Sequence, residues 1–463
     1  MESIAFSPQG PAVSSRESRA GRRVTPRRGP SVVSFTAVLV VAGLGFGLVL
    51  GLPLVDGTMS EFHLSGGVAM FLGSTTGLIG TYLALVMVVL ASRWPALERT
   101  LGQGGVIHWH RILAPWPIVL LSAHAVLLTL AYAEAARRGV WREVGVIVNT
   151  FPSMVTATVA LGLMVVIGVI SIRQIRTRIS RESWWLVHLF MYAALILAFA
   201  HEVVLGPSFV GHPLVQWTWT GAWLLAAGLL VTFRIGMPVF RSMRHRLEVV
   251  EARPESPGVV SIILKGRALD RLVVSGGQFF EWRFLAPGMW WQAHPFSVSA
   301  LPQRGHIRLT VKGVGEFTRA LAKIKPGTKV GVEGPYGSFT AFARRRPQAL
   351  LIAGGIGVTA IRTLVEDLPL KSRPVVVLRA TREEDLVLAN EIEEITHHRK
   401  GVVHRLLGSR LEVPLENIFR LVPDFKKRDI FVSGPEEFVA AVVAMAHRAG
   451  VAPDAVHQEA YSI

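Results

Sequence analysis

No cysteine occurs in the 463 residues, so the chain forms no disulfide, holds no cysteine-ligated iron–sulfur cluster and performs no thiol chemistry. Charge is scarce too: Asp, Glu, Lys and Arg make up 17% of the residues, against about a quarter in ordinary soluble domains. The charge present is mostly positive, for a net of +17. No basic stretch is interleaved with aromatics in a nucleic-acid-binding pattern, which argues against a nucleic-acid partner. Many cations instead flank apolar runs, where attraction to anionic lipid is the simpler account. A hydrophobic content of 51% and a mean hydropathy of +0.42 agree with a membrane protein.

The apolar residues are concentrated in the first half. Runs at about 34–54, 67–91, 109–132, 153–172, 184–205 and 215–236 are each long enough to cross a hydrocarbon core of roughly 30 Å. Positive residues in short loops favour the cytoplasmic side. Arg16, Arg19, Arg22, Arg23, Arg27 and Arg28 precede the first run, Arg93 and Arg99 follow the second, and Arg173, Arg176, Arg178 and Arg181 follow the fourth. With Arg241, Arg244 and Arg246 after the sixth, both termini read as cytoplasmic. The loop holding Arg137, Arg138 and Arg142 opposes this but is flanked by Glu134 and Glu143. Trp184 and Trp185 read as an aromatic belt at the inner face. Arg22 and Arg23 suggest a twin-arginine signal, but no small-residue cleavage site appears before the second run, so the first helix reads as retained. Residues 1–30, rich in Arg, Ser and Pro, read as a disordered basic tail.

Four histidines lie inside these runs: His110 and His124 in the third, His188 and His201 in the fifth. An ionisable side chain at membrane depth is costly and is by default a functional-site hypothesis. At 1.5 Å per residue the pairs are separated by roughly 21 and 19.5 Å, so each helix offers one ligand near either membrane face. Two stacked haems fit that spacing, with neutral imidazoles filling both axial positions of each iron. In a regular helix fourteen residues return to within about 40° of one face while thirteen fall about 140° away, a mismatch that tilt or distortion must absorb. His108 is an alternative to His110, although only His110 has the fourteen-residue spacing. His63 and His212 read as surface histidines of outer loops.

The second half has soluble-domain texture. Short alternating stretches at 247–251, 259–264 and 277–284, broken by Pro254, Pro257, Gly258 and Gly266, suggest an antiparallel barrel. His294-Pro295-Phe296-Ser297 sets an imidazole, an aromatic ring and a hydroxyl along an extended segment suited to a flat heteroaromatic ligand. Lys312-Gly313-Val314-Gly315-Glu316-Phe317-Thr318 precedes a helical stretch and suits a pyrophosphate. Leu350 to Thr359 reads as buried strand, glycine-rich turn (Gly354, Gly355, Gly357) and helix start, where small residues permit close backbone approach to phosphate.

With these motifs in this order, residues 34–463 resemble the ferric reductase and NADPH oxidase superfamily, specifically bacterial membrane flavocytochromes with a ferredoxin-NADP reductase-like cytoplasmic half. The resemblance implies a six-helix transmembrane bundle (31–240), an antiparallel β-barrel FAD-binding domain (244–343) and an α/β nucleotide-binding domain (344–463). It implies two b-type haems on His110, His124, His188 and His201. It places Ser297 against the isoalloxazine, with His294, Pro295 and Phe296 helping to hold FAD and Gly315 and Thr318 at its pyrophosphate. Gly334-Pro335-Tyr336-Gly337 resembles the family's turn near the nicotinamide cofactor, and Gly354, Gly355, Gly357 and Thr359 its phosphate loop. Arg379 or Arg382 lies where the adenosine ribose is recognised, and a bidentate contact to a 2′-phosphate would favour NADPH over NADH. Ser433-Gly434-Pro435 resembles a Cys-Gly-Pro motif with serine in place of cysteine, and Glu459 with Tyr461 an acidic-plus-aromatic tail whose ring stacks on the flavin. Ser297, Ser433 and Tyr461 are thus the candidate catalytic residues. Ser74 stands where relatives often carry arginine, which weakens a superoxide-producing reading.

The expectation is a multi-pass bacterial inner-membrane oxidoreductase. It carries electrons from cytoplasmic NAD(P)H through FAD and two haems to an outer acceptor, a ferric chelate first, with oxygen, a quinone or a redox protein as alternatives.

Overall fold

In the computed structural model, residues 32–461 are described apart from Gly57, Lys371 and Arg410. The basic tail of residues 1–30 lies outside them. The described chain forms two compact units, one up to Ile235 and one from Gly236.

The first unit is helical: α1 Val32–Val55, α2 Gly67–Ala91, α3 Pro95–Leu113, α4 Pro115–Ala135, α5 Val140–Thr150, α6 Met154–Ile170, α7 Arg181–Leu205 and α8 Pro213–Val231. Among the described residues, five helical stretches are long and apolar enough to cross a membrane: Phe35–Val55, Gly67–Ala91, Gly104–Ala135, Ser183–Leu205 and Pro213–His245. The run expected at 153–172 differs. It is the seventeen-residue α6, preceded by α5 at a bend of 115°. Pro152 accounts for the bend, because it disfavours helical geometry in the residue before it, and Phe151 is extended at φ −82°, ψ 138°.

Glycines set the closest helix contact. Gly73, Gly77 and Gly80 present one face of α2 to Leu128, His124 and Leu121 of α4, and an added Cβ at Gly77 would lie 2.5 Å from Nδ1 of His124. Small residues at such spacing let helix backbones approach closely in lipid.

The second unit begins with α9 Met237–His245 and a closed antiparallel barrel of order β1-β2-β5-β4-β3-β6. Its strands are β1 Leu247–Ser256, β2 Val259–Lys265, β3 Phe279–Phe284, β4 His294–Gln303, β5 His306–Lys312 and β6 Lys329–Tyr336, with the short helix α10 Glu316–Leu321 between the last two. Phe280, Trp282, Phe284, Leu264 and Leu309 fill its core.

A parallel sheet of order β11-β10-β7-β8-β9 follows, from β7 Ala349–Gly354, β8 Val375–Ala380, β9 Val402–Leu407, β10 Asp429–Pro435 and β11 Val456–Tyr461. Helices α11 Val358–Asp367, α12 Ala389–His398 and α13 Glu436–Arg448 supply most of the cover for its faces. All six residues of β7 are buried, as a central parallel strand requires. Strand order reverses between β7 and β10, the position where open α/β sheets bind ligands beyond their carboxyl ends.

Candidate functional site

In the helical unit the four intramembrane histidines come together as two pairs. Ring centroids of His110 and His188 are 6.3 Å apart, and those of His124 and His201 are 6.2 Å apart. An imidazole nitrogen lies about 1.1 to 1.2 Å from its ring centre and bonds a transition metal at roughly 2.0 to 2.1 Å, so rings on opposite sides of one ion stand about 6.2 to 6.6 Å apart. Both pairs meet that separation. Among the described residues no three His, Cys, Asp or Glu gather around a metal-sized space. Two imidazoles per site suit an iron that arrives with its own equatorial ligands, as haem does. Nδ1 of His188 and of His201 are buried without a hydrogen-bond partner, and a cavity of about 560 Å³ opens beside His124 and His201. The donor set therefore suits haem at both levels, and the cavity supplies space for it beside His124 and His201.

The helix carrying His110 and His124 is not regular. Its hydrogen-bond ladder is interrupted at Ala114, where Pro115 lacks an N–H, while Ala114 keeps helical dihedrals at φ −52°, ψ −37°. His108 is exposed and its ring neighbour is Trp109, whereas His110 faces His188.

Neighbours that the sequence did not signal complete the pairs. Nδ1 of His124 lies 2.8 Å from the Gly73 carbonyl. Donation to that oxygen fixes the tautomer with Nε2 free as ligand. The Trp184 ring stacks on His188 at 4.8 Å, under the Arg176 guanidinium, so it does more than mark the membrane interface. Next to His201, Glu202 accepts Nε1–H bonds from Trp219 and Trp223, each at 3.2 Å. The glycine spacing in α2 was the one available sequence signal for any of this.

In the second unit the flavin-type motif lies on β4. Ser297 is buried, and the His294 ring stacks on Phe317 at 3.8 Å and lies parallel to Phe296, with Pro295 exposed. The Thr318 hydroxyl caps its own helix, accepting the Gly315 N–H at 2.9 Å. Gly334 lies at φ 135°, held by Arg241 on its carbonyl, and the Tyr336 hydroxyl donates to Glu333 at 2.7 Å.

The switch point gathers the remaining candidates. Gly354 ends β7, Gly355 and Gly357 follow it, and Ser433 lies near the end of β10 beside Ala353. Gly355 is left-handed at φ 55°, which favours glycine. Any Cβ on Gly357 would lie 2.3 Å from the Ser433 carbonyl, so the turn and β10 approach this closely only through a glycine. Thr359 is buried in the first turn of α11, its hydroxyl donating to the Ile356 carbonyl at 3.0 Å. The Tyr461 hydroxyl lies 3.2 Å from Ser297 Oγ and 3.3 Å from Ser433 Oγ, joining the barrel motif to the sheet. Burial, with the Glu459 charge second, pushes that phenol up to about 12, so it stays protonated.

The two arginines after β8 are not equivalent. Arg379 donates to the carbonyls of Ala380, Leu406, Ser409 and Val413 at 2.8 to 3.2 Å, which commits its guanidinium to the backbone. Arg382 is exposed and pairs with Glu384 and Asp385.

Burial pushes the Glu459 carboxyl up to about 7 from its ordinary 4.5. The folded chain then holds a proton that the unfolded chain has released, so this group costs stability as pH rises from about 4.5 through 7. Glu459→Gln should flatten that slope, read as a melting temperature less dependent on pH between about 5 and 8. An unchanged profile would contradict the assignment.

Comparison with known proteins agrees with both halves. Residues 76–199 match the family described as ferric reductase like transmembrane component, and residues 258–340 match a family described as FAD-binding domain. The chain is 23% identical over 240 residues to an NADPH oxidoreductase of Mycobacterium tuberculosis, covering 49% of this chain and 62% of that protein. It is 23% identical over 177 residues to NADPH oxidase 1 of Mus musculus, covering 35% and 27%. Among solved structures, the FAD/NAD binding domain of nitric oxide dioxygenase from Vibrio cholerae aligns at 23% identity and a TM-score of 0.39, covering 47% of this chain and 99% of that one. The chain spans about half the length of the curated relatives it matches. The chain thus matches both the membrane component and the flavin domain of the ferric reductase and NADPH oxidase superfamily.

Proposed function

We propose that the chain is a six-span transmembrane oxidoreductase that takes electrons from cytoplasmic NAD(P)H and delivers them to an acceptor outside a bacterial inner membrane, a ferric chelate first. The observation that carries this reading is the pairing of four intramembrane histidines at 6.3 and 6.2 Å on the same two helical spans. His110 with His188, and His124 with His201, would hold two b-type haems. FAD would lie against Ser297 and Tyr461, with its pyrophosphate near Gly315, and the nucleotide phosphates would meet the amides around Gly355.

When bound, the flavin accepts electrons in pairs and passes them on singly, and the haems relay them across the bilayer. The residues hold, orient and exclude water. Ser297 and Ser433 fix the Tyr461 hydroxyl where the barrel motif and the switch point meet. Ser433, in place of the family's cysteine, keeps a small hydroxyl at this junction. No lysine or arginine lines the cavity beside His124 and His201 among the described residues, and Ser74 lines it where relatives often carry arginine.

A reduced-minus-oxidised absorbance spectrum of the purified protein, with haem and FAD quantified, tests the reading. Two b-type haems per FAD, both reduced by NADPH as fully as by dithionite, are expected; FAD without haem would overturn it. For the donor, Arg382→Ala should raise the NADPH KM by roughly tenfold through loss of a charge-assisted contact, with less effect on NADH. Equal changes for both nucleotides would remove the preference for NADPH.

A further inference from the structure

We infer that Trp184 and Arg176 are positioning residues for the His110–His188 pair: the indole fixes the plane of the His188 imidazole, and the guanidinium supplies a fixed positive charge that favours the reduced iron there. The inference rests on that pair ligating a haem, as proposed above.

The need arises from what His188 lacks. A ligating imidazole ordinarily donates its second ring N–H to an oxygen, which fixes the plane of the ring. His124 has the Gly73 carbonyl for this purpose, 2.8 Å away. Nδ1 of His188 is buried with no hydrogen-bond partner, so with Nε2 as the ligand no polar contact sets the ring. Stacking takes that part. Trp184 lies one turn earlier on the same face of α7, and its ring is 4.8 Å from that of His188 and 24° from parallel. Flat contact of this kind resists rotation of the imidazole about its bond to Cβ.

The indole is anchored in turn by the connection 171–180 between α6 and α7. That connection holds the short helix Arg173–Arg176 and ends at Ser180, whose Oγ caps α7 by accepting the Ser183 N–H at 3.1 Å. Trp184 Nε1 donates to Ser171 Oγ at 3.2 Å, and Ser171 donates to the Ile167 carbonyl at 2.7 Å. The Arg176 guanidinium lies over the indole, 4.6 Å from the ring centre, and donates to the Ile179 carbonyl at 3.2 Å. A hydrogen bond at the edge of the indole and a cation over its ring hold it in one orientation. The same cation acts on the iron, because reduction there adds an electron in a region of low dielectric, where a fixed positive charge is poorly screened.

The test uses the full chain purified in detergent. Each ferric haem with two imidazole ligands gives its own low-spin electron paramagnetic resonance signal, whose g values follow the angle between the ligand planes. In this pair the rings of His110 and His188 stand at 56°. Trp184→Leu should move one of the two signals and leave the other, whereas Trp184→Phe, which keeps a flat ring, should hold both in place. In a potentiometric titration, Arg176→Gln should raise the oxidised-to-reduced ratio of one haem severalfold at a fixed potential, and Arg176→Lys should restore most of it. Should Trp184→Leu not fold, Arg176→Gln decides. Both signals unmoved in a two-haem Trp184→Leu protein, or both midpoint potentials unmoved in Arg176→Gln, overturns the inference while the haem reading stands. Unsubstituted protein with FAD and no haem overturns both.

Discussion

Replacing His201 with leucine should remove one haem and spare the other, lowering the haem-to-FAD ratio from two to one while NADPH still reduces the flavin. The ring of His201 stands 6.2 Å from that of His124, so under the proposed function the two would serve one iron and the His110–His188 pair another. His124→Leu should give the same stoichiometry, and either variant should abolish reduction of the external acceptor. Gly77→Ala reaches the same end without touching a ligand. Its methyl would lie 2.5 Å from Nδ1 of His124, a ring already held by the Gly73 carbonyl at 2.8 Å, so the imidazole must leave its position. Haem extraction and the reduced-minus-oxidised spectrum read all three variants. Retention of two haems after His201→Leu would show that the pair does not ligate.

Glu391→Ala should be the most destabilising single change in the second unit. Arg308 of β5 and Arg362 of α11 are both fully buried and converge on the Glu391 carboxylate of α12, Arg308 through two bonds at 2.7 and 2.8 Å and Arg362 Nε at 3.0 Å. Burial pushes the Glu391 carboxyl up, but the Arg308 hydrogen bonds and both guanidinium charges reverse this and hold it below the usual carboxylate range. Its stabilisation is therefore present above the unfolded value of 4.5 and is lost as pH falls below it. Removing one partner of a buried ion pair costs about 3 to 5 kcal/mol; here Arg362 keeps its pair with Glu366, while the buried Arg308 guanidinium loses both of its bonds to the Glu391 carboxylate. For a unit of this size that lowers the melting temperature by roughly 6 to 20 °C. Ser299 of β4 holds Arg308 within the barrel, and the bonds of Arg308 to Glu391 tie barrel to the helix beside the sheet. FAD release on heating, followed by its fluorescence, measures the loss; a shift within a degree or two would show the network to be dispensable.

What the sequence made legible follows from the range of each interaction. The histidines, the His-Pro-Phe-Ser string and the glycine turn after β7 are local patterns whose chemistry is carried by adjacent residues. The Gly73 carbonyl meets His124 across 51 positions and Arg308 meets Glu391 across 83, and no spacing rule joins such residues. Sequence alone does not rank Arg379 against Arg382 as a phosphate ligand, because the carbonyl partners of Arg379 lie on β9 and the turn beyond it. The run at 153–172 read as an ordinary span because hydropathy does not register the turn that Pro152 imposes. Trp184 reads as a belt residue in the sequence because an aromatic at a helix start looks the same whether or not an imidazole lies beneath it.

The strand order of the parallel sheet also sets a timetable for biosynthesis. β7 pairs with β8, which follows it closely, but its other edge waits for β10, about 75 residues later. At roughly 5 to 20 residues per second, that edge stays open on the ribosome for about 4 to 15 seconds. Throughout that interval the apolar Leu350, Leu351 and Ile352 lack their β10 neighbours, and neither the glycine turn nor Ser433 has its counterpart. The nascent chain thus passes through a stage in which the membrane helices have been made while the nucleotide crevice is half built, and a chaperone that shields an unpaired strand edge would act at that stage.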